Sequence, residues 1–143
     1  MNGFELRQGA GESEVESWAF TGTALAVGDL MEMDSGAASA TVADSSSEFW
    51  QRKGVVTEVR ATGDTAVKVI IVNPNQVWAG NVTNSINAAH NGDMMVLTDR
   101  TAVNNTGSDA TTAKEVVVVQ IDSDGTDGLF RFVDCSGVNP DAT

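Results

Sequence analysis

His90 and Cys135 are the chain's one histidine and one cysteine. A zinc site needs several imidazole or thiolate ligands gathered at one point, and two isolated residues do not supply them. No metal and no cofactor is expected. Serines and aspartates abound, but no nucleophile elbow accompanies His90. The stretch "AAHNGD" reads as a turn entering a strand. Asp122, Asp124 and Asp127 form the densest carboxylate group, in "DSDGTDG". An EF-hand loop wants oxygen ligands at alternate positions, a glycine midway and a closing glutamate. Counted from Asp122, the midway residue is Asp127 and the closing one is Val133. The run is a solvated hairpin turn by this test. No Walker loop and no dinucleotide-binding glycine pattern occurs. Tyrosine is absent, which counts against an aromatic platform for a base or a sugar. The residues point to no catalysis.

The elements that would position such groups are strands. "SWAFT" (17–21) alternates, and "ALAVGDLMEM" (24–33) is a strand interrupted at Gly28-Asp29. "DSGAASATVADSSS" (34–47) is small, polar and reads as a mobile loop. "EFWQRKGVVTEVR" (48–60) and "TAVKVIIV" (65–72) flank the turn "ATGD" and predict a hairpin. Pro74 stops the second strand, and "QVWAGNV" (76–82) resumes it. Residues 83–91 hold the one plausible helical turn. "GDMMVLTD" (92–99), the polar loop 100–113, the strand 114–121, the turn 122–128 and "LFRFV" (129–133) come next.

The second half repeats the order of the first. Gly28 recurs as Gly92, 64 residues on, and Gly63 as Gly125, 62 on. Either the chain holds two similar β units that close one core together, or turn chemistry alone repeats the phrase. Both readings give an all-β fold, a single compact barrel or sandwich over 17–135. Residues 1–16 read as an extended N-terminal arm with Phe4 and Leu6 as its lone apolar handles. Residues 136–143 read as a tail.

The 143 residues are enough for one domain with a sizeable core. Twenty acidic against eight basic residues give a net charge of −12. Such a surface repels phosphate backbones, so nucleic acid is not an expected partner. No run approaches the roughly 20 apolar residues that a membrane-spanning helix needs, and the polar opening residues do not read as a secretory leader. A single cysteine permits no internal disulfide. Phe49 and Trp50 are adjacent, so one of them faces outward on a strand. That makes Trp50, with Trp18 and Trp78, a candidate for subunit contact.

"LAVGDLMEMDSG", "FWQRKGVVTEV", "NPNQVWAGNV" and "VVVVQIDSDGTDGLFRFV" together resemble phage head decoration, or cement, proteins over about residues 18–134. The resemblance implies a β-barrel or sandwich that binds the outer surface of the virion's capsid and stabilises the expanded head. It implies the major capsid protein as partner, a homotrimer, an N-terminal arm that engages the shell through Phe4, Leu6 and Arg7, and no enzyme activity. The competing expectation is a host- or glycan-binding module on the virion surface, with the loops 34–47 and 100–113 as its contact face.

Overall fold

The computed structural model describes residues 3–9, 11, 13–34, 36–105, 116–120 and 125–140. Every regular element in them is a strand apart from one short 3-10 turn, Ala88–His90. The first half carries β1 (Glu5–Gln8), β2 (Glu14–Ala19), β3 (Leu30–Met33), β4 (Thr41–Val42), β5 (Arg52–Val56) and β6 (Ala66–Ile71). The second carries β7 (Val77–Ile86), β8 (Met94–Asp99), β9 (Ala102–Asn104), β10 (Val117–Val119) and β11 (Gly125–Phe132). The all-β expectation holds, as a closed barrel plus a second sheet.

The barrel runs β7-β11-β10-β8-β9 and closes because β9 returns to pair, in parallel, with β7. β11 occupies one edge of β7. β1 and β9 lie end to end along the other, against Val77–Ala79 and Asn81–Thr83 respectively. The second sheet runs β2-β6-β5-β3-β4. A single parallel bridge, Phe20 to Ala40, links its two outer strands.

The two strand orders are the same order, shifted by five strands. The register agrees as well. Met31 faces Gly54 as Met95 faces Val117, and Val56 faces Val69 as Val119 faces Phe130. Gly28 N–H donates to Val56 O and Gly92 N–H to Val119 O, both at 2.9 Å. Val56 N–H donates to Asp29 O and Val119 N–H to Asp93 O, again at 2.9 Å. Gly28 and Gly92 sit at φ +95° and +86°, backbone conformations that favour glycine. The Gly-Asp phrase therefore marks one turn used twice, and the chain is a structural repeat.

Each sheet buries its own stripe. Trp18, Phe20, Met31, Val56, Val67 and Val69 fill the second sheet's interior. Trp78, Val82, Leu97, Val103, Phe130 and Phe132 fill the barrel. The opposite faces of β3 and β5 then supply Leu30 and Val55 to the barrel's cluster, with Ala43 and Val72 beside them. One continuous core thus joins the two units, stitched by Leu30 N–H to Arg100 O at 2.8 Å and by a bridge between Asp44 and Asp99.

Several expectations need correction. The described residues of 1–16 are not a free arm, because β1 pairs with β7 and β2 pairs with β6 along its whole length. Phe4 is 3% exposed and packs against Phe132, ring centroids 5.6 Å apart and tilted by 60°. The loop 34–47 contains β4, and Ala43 N–H donates to Leu30 O at 2.9 Å. β7 runs on to Ile86, leaving only Ala88–His90 for the helical turn. The loop expected over 100–113 opens with β9, and its residues 106–113 lie outside the described residues. Gly125–Gly128, expected within a turn, belong to β11.

Candidate functional site

The three tryptophans are buried by their own chain. Trp78 is wholly inside, edge-on to Phe132 at 6.5 Å, with its indole N–H donating to Gln76 Oε1 at 3.1 Å. Trp18 lies beneath the Arg52 guanidinium, 5.6 Å from it, and donates to Glu16. Trp50 is 6% exposed and donates to Glu48 Oε2 at 2.7 Å. None faces outward as a subunit contact would require. Phe4 is core, and Leu6 is half-buried opposite Trp78. Of the arm residues Arg7 alone keeps its charged head largely outside, paired with Glu5 at 3.5 Å. The structure therefore does not bring the sequence's candidate contact residues onto one surface.

His90 Nδ1 accepts from Asn87 N–H at 3.0 Å, the capping contact of a turn. Asp127 lies in β11 opposite Asn81. Asp122 and Asp124 lie outside the described residues. No cluster of metal-ligating side chains occurs among the described residues.

A polar cluster that no sequence pattern announces lies under residues 44–51. Glu32 and Lys53 are cross-strand neighbours on β3 and β5, and both are buried. Lys53 Nζ donates to Glu48 O at 2.6 Å and to Gln51 O at 3.2 Å. Ser47 Oγ donates to Glu32, and Gln51 Nε2 donates to Asp34. Cys135 N–H donates to Phe49 O at 3.0 Å and Gly137 N–H to Trp50 O at 2.7 Å, strapping the segment from outside. Burial raises the Glu32 carboxyl, against the Ser47 hydrogen bond and the Lys53 charge. Burial lowers Lys53, against the charges of Cys135 and Glu32. Burial pushes the Cys135 thiol up to about 11. These groups hold a loop to a sheet, because their polar atoms are spent on one another and on backbone carbonyls.

None of these residues lines either of two hollows among the described residues. One, of about 90 Å³, lies among Phe20, Leu25, Met31, Ala40 and Val42. It opens because β2 and β4 separate beyond the Phe20–Ala40 bridge, where the matching pair Thr83–Asn104 in the barrel stays joined. The other, of about 270 Å³, is an apolar groove between β1 and the second sheet, beside Leu6, Val27 and Ile70. Neither gathers the titratable groups that chemistry needs.

The surface itself is acidic. Arg7, Arg52, Arg60 and Arg100 each pair with a carboxylate of this chain. Arg131 reaches Asn75 O and Gln120 Oε1, and Lys53 is buried. Most of the few cations are thus engaged within the chain, and the carboxylate surplus remains to set the outer field. No protein-family model matches the chain, and no curated protein matches it.

Proposed function

We propose that the chain is a tailed-phage head decoration protein. It binds the outer surface of the major capsid protein lattice as a homotrimer and stabilises the expanded head by adhesion alone. The observation that carries this reading is the shared core of the two repeated units. Leu30, Ala43, Val55 and Val72 from one unit pack into the cluster of Trp78, Phe130 and Phe132 in the other. A body built this way is stiff, since close-packed interiors transmit strain rather than absorb it. A clamp across neighbouring shell subunits needs that property and no reacting group. The net charge of −12 keeps free copies apart in solution until a complementary surface is met. Many copies on one lattice make a modest contact effective.

Cosedimentation with expanded capsids that lack a decoration protein tests the reading. Saturable binding, with capsids that then withstand more heat before rupture, is the expected result. Capsids left bare at micromolar protein would refute it. Deleting residues 1–16 is not a clean test of the arm, because it removes β1 and part of β2. Arg7→Glu alters the one exposed residue among Phe4, Leu6 and Arg7 and leaves both strands in place.

A further inference from the structure

The repeat shows what one unit has and the other lacks. In the barrel, the β7 edge at Val77, Trp78 and Ala79 is covered by β1. Ala79 faces Leu129 and Trp78 faces Phe130 as Ser17 faces Lys68 and Glu16 faces Val69. The positions on β2 that match Val77, Trp78 and Ala79 are therefore Val15, Glu16 and Ser17. Among the described residues no strand lies along them, and β2 ends its sheet. Val15 is 58% exposed where its counterpart Val77 is 5% exposed.

The outer edge presents main-chain groups. Phe20 N–H donates inward to Thr65 O, and Ala19 O accepts from Ala40 N–H on the other side. Main-chain groups alternate along a strand. Val15 and Ser17 thus point their N–H and C=O away from β6, as Ala19 does. An open edge of this kind is a template for an added strand.

We propose that the β2 edge over Val15–Ser17 accepts an extended, lysine- or arginine-bearing segment of another protein, in the slot that β1 fills on β7. Charge selects the occupant. Glu14 is exposed on β2, while Glu16 is half-exposed and already holds Arg52 at 3.0 Å, so Glu14 carries the selection, since residues directly across a strand pair are stabilised by opposite charge. A second copy of this chain, at −12, brings more carboxylates to the same edge. That the segment belongs to the capsid protein rests on the decoration role; the edge and its chemistry do not.

The test uses a synthetic peptide of alternating valine and lysine, titrated into the full-length protein and followed by backbone amide NMR. The expected result is shifts centred on Val15, Ser17 and Ala19, with slowed exchange of the Val15 and Ser17 amides. Ser17→Pro deletes one outward N–H and spares the ladder to β6, so it weakens binding at least about tenfold. Ser17→Thr, which keeps the N–H, binds as the parent does. Thermal melts of both variants report whether the sheet is intact. A valine–glutamate peptide binds at least about tenfold more weakly than the lysine peptide, and added salt narrows that gap. Shifts elsewhere, equal binding by a folded Ser17→Pro, or equal binding of both peptides overturns the proposal. So does a self-associated form that Ser17→Pro dissolves, since a second copy would then hold the edge. The same variant on expanded capsids separates the two claims. Parent protein that fails to bind refutes the decoration role and leaves the peptide result standing. Parent and Ser17→Pro that bind alike refute the capsid protein as the occupant of the edge and leave the role standing.

Discussion

Lys53 and Val116 occupy one place in the repeat. Val72 N–H donates to Lys53 O as Val133 N–H donates to Val116 O, each at 2.9 Å, and both side chains are fully buried. One unit fills the site with a valine and the other with a cation. The difference is the segment above Lys53, whose Glu48 and Gln51 carbonyls accept hydrogen bonds from its Nζ. Lys53→Met keeps most of the stem, leaves the Gln51 carbonyl without this partner and leaves Glu48 O only the Gln51 N–H at 3.4 Å. It is expected to cost about 1–3 kcal/mol, read by urea denaturation. Lys53→Ala adds a cavity and costs more.

Phe4 is a core residue on what the sequence presents as an arm. Phe4→Ala removes the ring that packs against Phe132 and is expected to lower stability by about 3–5 kcal/mol. An unchanged melting temperature would show that β1 contributes nothing to the fold.

Trp18 and Gly54 are matched in size. A Cβ on Gly54 would lie 2.7 Å from Val69 Cγ2 and 3.1 Å from Trp18 Cζ3. In the barrel the matching positions are Gly80 and Val117, with large and small exchanged. Gly54→Val alone is expected to cost about 1–3 kcal/mol by overpacking, and Trp18→Ala about 3–5 kcal/mol. The double variant should lose about 0.5–3 kcal/mol less than the two costs combined. Strict additivity in chemical denaturation would show that the pair is not coupled.

Glu32 makes stability depend on pH in a stated direction. Its folded pKa is raised above 4.5 by burial, so the native state holds that proton where the unfolded chain has released it. Stability contributed by this group is full below 4.5 and falls as pH rises through the folded value. Glu32→Gln removes that fall. The difference in unfolding free energy, parent minus variant, should decline from pH 4.5 upward, and a flat difference would refute the assignment.

Cys135 is an inert thiol in the native state. Its folded pKa of about 11 stands above the ordinary 9.0, which leaves about a hundredfold less thiolate near neutral pH. Labelling by a disulfide reagent should be slow and should track unfolding. Between pH 9.0 and about 11 the unfolded chain gives up this proton and the native chain keeps it, so the thiol's contribution to stability falls with pH. Cys135→Ala should flatten that limb.

The strands built from β-branched runs were legible in the sequence, as was the repeated Gly-Asp turn. Residues 52–56 and 66–71 announce themselves by pattern, and Gly28 and Gly92 by the aspartate and apolar run after each. β1 and the opening half of β2, ahead of the strand read at 17–21, were not legible. Their alternate positions carry glutamate and glutamine, because the faces those residues occupy lie at the surface, so the apolar rhythm that reveals a strand is faint. The tryptophans misled for a related reason. Adjacent Phe49 and Trp50 suggest one outward ring only on a strand, and they lie on a turn that lets Trp50 tuck inward. Lys53 reads as surface from its charge alone, since nothing local reveals that two carbonyls descend onto it. The open edge of β2 is a property of topology. It becomes visible only when the two halves are laid side by side.

The pairing of β1 with β7 also governs the order in which the molecule can be made. On the ribosome, Phe4–Gln8 emerges long before Val77–Ala79, its partner on the far unit. β2 through β6 hold within themselves every strand their sheet needs and can settle first. Phe4–Gln8 must wait, the phenyl ring exposed, until Val77–Ala79 have been synthesised. Nascent chains halted just after Ile71 should therefore present Phe4 to trigger-factor-like chaperones, and chains released after Phe132 should not.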